Sequence, residues 1–180
     1  MSNAIAATTS NIPASPLQNP LLKQIPPQYR GAAKAAIIAS GTAGPLGVLP
    51  GPADITAISG IWSTCLVAIS CKAGVSLDKD TAVRLCKSAL LGMGAYYIGC
   101  KTATRFFSYI PGAGIFAGMG VSALTNIIFT YRFVLTVSTI FEENGKNVNI
   151  EELVENIKTM FKGNGALHDI RDIVSICVSK

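Results

Sequence analysis

The residues with the most reactive side chains are one histidine, His168, and five cysteines, Cys65, Cys71, Cys86, Cys100 and Cys177. A cysteine and a histidine brought together can act as nucleophile and base. Cys177 follows His168 by nine residues, half a turn out of phase on a helix, so the sequence does not pair them. A zinc site needs clustered Cys and His ligands, and no C-x-x-C occurs. Four of the cysteines lie in apolar helical stretches, where a thiol behaves as a small hydrophobe. They read as reduced, which places the soluble parts in a reducing compartment. No metal and no cofactor are expected. No acid, base and nucleophile share a face, so the expectation is a chain that is not an enzyme.

The glycine series Gly112-x-Gly114-x-x-x-Gly118-x-Gly120 suggests a phosphate loop at first sight. A dinucleotide loop follows a strand and needs an acid about 20 residues on. Here a helix-like stretch and Pro111 precede the glycines, and the first acids after them are Glu142 and Glu143. A P-loop needs Gly-Lys-Ser/Thr, and no lysine lies between Lys101 and Lys146. Gly114 and Gly118 instead form a G-x-x-x-G ridge, extended by Ser122, of the kind that admits a close helix in an apolar medium. Gly92, Ala95, Gly99 and Ala103 make a second small-residue face. With Gly112 at the turn, the two faces are expected to pack as a hairpin through Pro111.

Four charges stand at the edges of, or inside, apolar runs: Asp54, Lys101, Arg105 and Arg132. Asp54 suits the positive end of a helix dipole, although an acid at a membrane edge can also be functional. Arg132 either snorkels, pairs (for instance with Asp54), or marks a helix that lies in protein and not in lipid. Trp62 and the Tyr96-Tyr97 pair are mid-segment and read as packing residues.

The elements that must position these residues follow from composition. The chain has 180 residues, 49% apolar and only 14% charged, against about 25% charged in an ordinary soluble domain. Mean hydropathy is +0.43. Such a chain is neither disordered nor a highly charged soluble bundle. The net charge of +5 is spread out, with no basic run and no aromatic interleaving, so nucleic acid is not an expected partner. Residues 1–50 carry Lys23, Arg30 and Lys34 and no acid, compatible with anionic lipid headgroups or with a solvated linker. The opening MSNAIAATTSNIPASP lacks the basic and apolar regions of a secretory signal.

Five prolines over residues 1–28 predict an extended arm. Arg30–Ser40 predicts a short alanine-rich helix. Ile55–Cys71 is charge-free, opened by Pro52 and Asp54 and closed at Gly74. Ser76 is expected to cap a third helix reaching toward Tyr109. Phe106–Tyr131 is the longest charge-free run, with a helix continuing to Phe141. Asn149 and Glu152 resemble a capping box before an apolar stripe at Ile150, Leu153, Val154 and Ile157. A second stripe runs through Leu167, Ile170, Ile173 and Cys177. No strand signal competes. The fold expected is all-α, a hydrophobic helical hairpin core with a C-terminal amphipathic helical pair. Its units are a proline-rich arm (1–28), a hydrophobic helical membrane-type domain (29–143) and an amphipathic tail (144–180).

Pro50-Gly51-Pro52-Ala53-Asp54 opens an apolar helix, Ile110-Pro111-Gly112-Ala113-Gly114 opens another, and a helix containing Glu151-Glu152-Leu153 comes last. Over about residues 30–165 this order resembles the uncharacterised helical domain that accompanies bacterial inner-membrane proteins and Era-like small GTPases. It is distantly similar to the helical C-terminal part of immunity-related GTPases. The resemblance implies a membrane-associated module without catalytic residues, serving a GTPase that would be a separate partner. The expected function is therefore a non-enzymatic module, embedded in or bound to a lipid membrane and packing with lipid and a protein partner. The alternatives are a small oligomeric pore built on the Gly114/Gly118 ridge, and an accessory subunit of a large membrane complex.

Overall fold

The computed structural model describes residues 20–44, 46, 53–92 and 114–159. Of its interpretable part 89% is helical, and no strand occurs there. Five helices carry the structure: α1 (Arg30–Thr42), α2 (Ala53–Lys72), α3 (Lys79–Gly92), α4 (Gly114–Asn144) and α5 (Ile150–Thr159). The all-α expectation therefore holds. The predicted helices over 30–40, 55–71, 114–141 and from Asn149 each appear, extended by a few residues.

Their ends follow local chemistry. Past the end of α2, Gly74 takes φ +75. Its N–H donates to the Cys71 carbonyl at 3.1 Å, and the Val75 N–H donates to Ser70 at 2.8 Å. This is the paired closure that a left-handed glycine makes possible. The cap of α3 corrects the expectation of Ser76. Asp78 Oδ1 accepts the Thr81 N–H at 2.8 Å; the Thr81 hydroxyl first, and then this N–H, lower the Asp78 carboxyl from its ordinary value. Asp78 lies immediately before the first helical residue, where a side-chain oxygen reaches the free N–H groups. Asn149 caps α5 as expected, with Oδ1 accepting from the N–H of Glu151 at 2.9 Å and of Glu152 at 3.4 Å. Asn149→Ala should cost about 1 kcal/mol, read as a lowered thermal midpoint by circular dichroism.

Residues 20–28 do not form part of an extended arm. Leu22 and Ile25 are buried with Tyr29 in the main core. Arg30 fastens this stretch by donating from Nε to the Ile25 carbonyl at 2.9 Å and from Nη2 to Lys23 at 3.2 Å. Proline content pointed to an arm, but burial of two aliphatic side chains and an arginine clamp outweigh it. Residues 1–19 lie outside the described residues.

Contacts fix the directions of the helices. Gly44, just past α1, meets Ala123 in the N-terminal part of α4, while Gln28, just before α1, donates from Nε2 to the Glu142 carboxylate near the end of α4. Helices α1 and α4 are therefore antiparallel. Trp62 packs on Phe133, and Gly74 meets the Lys146 side chain, so α2 and α4 run parallel. The short connection after Gly74 turns α3 back along α2, and α5 turns back from α4, with Gly92 meeting Lys158. The core lies where α1, α2 and α4 meet, around Trp62, Leu66, Ile69, Phe133, Val134 and Val137.

Candidate functional site

The candidate functional feature of this fold is its pair of long apolar helices. Ile55–Lys72 in α2 and Gly118–Asn147, mostly in α4, are long and apolar enough to cross a membrane. They are 44% and 56% buried inside the bundle. At 1.5 Å per residue α2 spans about 30 Å, the thickness of a bilayer core.

Small polar side chains are numerous among the buried residues of these two helices and of α1. Ser59, Ser63 and Ser70 of α2, Ser122, Asn126, Thr130 and Ser138 of α4, and Ser40 of α1 are all at most 1% exposed. Ser122, Asn126 and Thr130 recur every four residues and so form one ridge. Most of these hydroxyls are satisfied within their own helix. Ser59 donates to the Thr56 carbonyl, Ser63 to Gly60, Ser70 to Val67 and Ser138 to Leu135, at 2.9–3.1 Å. Such back-bonding leaves a smooth, polarity-neutral surface on which a neighbouring helix can lie closely. Trp62 of α2 is fully buried. Its ring stacks on Phe133 with centroids 4.2 Å apart at 10°. Its Nε1 donates to Thr130 Oγ1 at 2.9 Å. The reading of Trp62 as a packing residue holds.

Helices α1 and α4 approach closely, since an ideal Cβ on Gly44 would sit 2.6 Å from Ala123 Cβ, and one on Gly41 would sit 3.2 Å from Ile127 Cδ1. Helices α1 and α2 border an open apolar groove of about 450 Å³ lined by Ala32, Ala35, Ala39, Ala57, Gly60 and Ile61. Nothing lies within 4 Å of a Cβ built on Gly60. Gly60→Ala should therefore stabilise the fold by about 0.5–1 kcal/mol, measured as a raised unfolding midpoint.

Among the predicted packing residues, Gly118 and Ser122 are buried on α4 and Gly114 begins that helix. Gly92 does not join them. It ends α3, and a Cβ there would meet the Lys158 side chain at 2.8–2.9 Å. The described part of α3 packs on α2 and α5, so the expected hairpin partner of α3 is corrected over those residues. The physical reason is the short α2–α3 turn, which places α3 beside α2 before it can reach α4. Gly99, Gly112, Lys101, Arg105 and Tyr96-Tyr97 lie outside the described residues, as does the stripe from Leu167 to Cys177. Asp54 is in the first turn of α2, its side chain outside the described set. Arg132 is half-buried in α4, with its Nε buried.

No group of three metal-ligating side chains occurs among the described residues. Cys65 and Cys86 are free and buried, while Cys71 is exposed. Burial, and next the proximity of Cys65, push the Cys86 thiol from its ordinary 9.0 up to about 12. A raised acid keeps its proton longer in the folded state. The stability it lends is present below pH 9.0 and is lost as pH rises toward about 12. Alkaline unfolding should accordingly weaken in Cys86→Ala relative to its own neutral-pH stability, followed by circular dichroism against pH. No protein-family model, curated protein or solved structure matches the chain.

Proposed function

We propose that this chain is a non-enzymatic helical module, embedded in or bound to a lipid membrane, that acts by packing its helices with lipid and with a protein partner. One observation carries the reading. Two helices are long and apolar enough to cross a membrane, and buried serine, threonine and asparagine side chains recur along both. In lipid, apolar side chains gain nothing from packing on each other instead of on acyl chains, so small residues and hydroxyls are what hold helices together. The charged faces of the amphipathic α3 and α5 meet water in this reading. The resemblance to helical domains that accompany Era-like GTPases makes a separate GTPase the first partner to seek, with a subunit of a larger membrane complex as the alternative. A pore built on the Gly114/Gly118 ridge takes second place, because Gly118 and Ser122 are already buried within the chain.

Membranes from cells producing the protein, washed in alkaline carbonate, should retain it in the pellet. Recovery of a monodisperse soluble species without detergent contradicts the reading.

A further inference from the structure

We infer that the bundle enters a bilayer from one pole and that both long helices end on the same, opposite side; the inference rests on the membrane reading above. The two ends of the bundle differ in charge. Lys72, Asp78, Lys79 and Asp80 surround the end of α2, and Glu142, Glu143, Lys146, Glu151 and Glu152 surround the end of α4, all exposed. The contact of Gly74 with Lys146, and the bond from Lys72 Nζ to the Gln28 carbonyl at 2.6 Å, gather these groups at one pole. Ions at that density stay in water, because moving a charge into hydrocarbon costs several kcal/mol.

The other pole is built from the end of α1, the start of α2, the end of α3 and the N-terminal part of α4. Among its described residues α1 has no charge after Lys34, and α4 has none before Arg132. The described charges toward this pole are Asp54 in the first turn of α2, Lys87 on α3 and the Glu155–Lys158 pair on α5, fewer than gather at the other. Both large apolar side chains that the described structure leaves exposed point to this half of the molecule. Leu91, 72% exposed, is one residue from the end of α3, and Ile38, 57% exposed, is one turn from the end of α1. At the rim, the Lys158 stem covers Gly92 while its ammonium lies 3.7 Å from Glu155. That is how lysine sits between apolar surface and headgroups.

Direction of travel completes the argument. Because α2 and α4 are parallel, their apolar runs both start at the sparsely charged pole and finish at the charged one. A bundle inserted as a unit must present Cys71 and Glu143 on one side of the membrane. Two independent hairpin insertions would place no such constraint on these positions.

Cys71 is a native reporter, exposed at the charged pole. The full chain with Cys100→Ser and Cys177→Ser, carrying Glu143→Cys beside Cys71, is reconstituted into vesicles of phosphatidylcholine and phosphatidylglycerol. It is treated with a membrane-impermeant maleimide, then with a mass-distinct maleimide in detergent. Molecules counted by mass spectrometry should carry two outer labels or none, whichever way the protein inserts. A population with one outer label each places the helix ends on opposite sides and overturns the inference. A second variant, Ala53→Cys with Cys71→Ser, reports on the sparsely charged pole, where Ala53 is exposed in the bundle. Its labelling should fall by at least about tenfold on vesicle binding, since the attacking thiolate is suppressed in hydrocarbon. Unchanged labelling also overturns the inference. A protein that fails to associate with the vesicles at all refutes the membrane reading itself, which separates the two failures.

Discussion

Trp62→Ala should lower the unfolding free energy by about 3–5 kcal/mol, the range for emptying a buried large aromatic site. Three effects coincide at this residue. The indole is fully buried in the core shared by α2 and α4, so its removal leaves a cavity in a close-packed interior that relaxes only in part. The stack on Phe133 is lost, an aromatic pair being worth about 0.5–1.5 kcal/mol beyond area burial. Thr130 loses the donor that Trp62 Nε1 supplies. Thr130→Val separates the last effect, since it keeps the volume and leaves the indole N–H without its acceptor, at about 1–3 kcal/mol. Denaturant unfolding in one detergent, followed by far-UV circular dichroism, measures both. A Trp62→Ala variant within about 0.5 kcal/mol of the parent, the range of an ordinary surface change, would show that α2 and α4 do not meet as described.

Gly44→Ala should destabilise by about 1–3 kcal/mol, as overpacking does in a filled interior. The added carbon would stand 2.8 Å from Ala123 Cα and 2.9 Å from Ala123 N as well as 2.6 Å from its Cβ. Backbone atoms of a helix cannot rotate out of the way, so α1 must move off α4 as a body. Gly92→Ala offers a contrast at similar distances. Its neighbours are carbons of the flexible Lys158 side chain, which can swing aside, so the effect should be small. The pair of variants, compared by thermal midpoint, distinguishes a true helix crossing from a merely small residue. Equal effects would contradict the α1–α4 contact.

Much of the helical order was legible because charge and punctuation mark it. Charge-free Ile55–Cys71, bounded by Asp54 and Lys72, could only be a helix of that length or a buried core segment, and α2 occupies it almost residue for residue. Gly74 stopped α2 because nothing else in that stretch adopts a left-handed turn so readily. Asn149 capped α5 because its apolar stripe began one residue later. Other features were hidden for physical reasons. Ser76 and Asp78 are both good caps, and the choice depends on where the chain leaves the α2 turn, a tertiary matter. Prolines over 1–28 speak of backbone restriction and are silent on whether Leu22 and Ile25 find a core. The helix pairing misread for Gly92 shows that a small-residue face announces close approach without naming its partner. The four-residue period of Ser122, Asn126 and Thr130 was available, but small polar residues recurring within an apolar run carry little weight until their burial is seen.

The central claim is that α2 and α4 are built for lipid as well as for each other. Flotation of the purified chain with liposomes of phosphatidylcholine and phosphatidylglycerol in a density gradient tests it most directly. The protein should rise with the vesicles and stay with them in high salt, since apolar burial and not screened surface charge holds it there. A chain that remains at the bottom of the gradient as a monodisperse species, with no detergent present, would contradict the account.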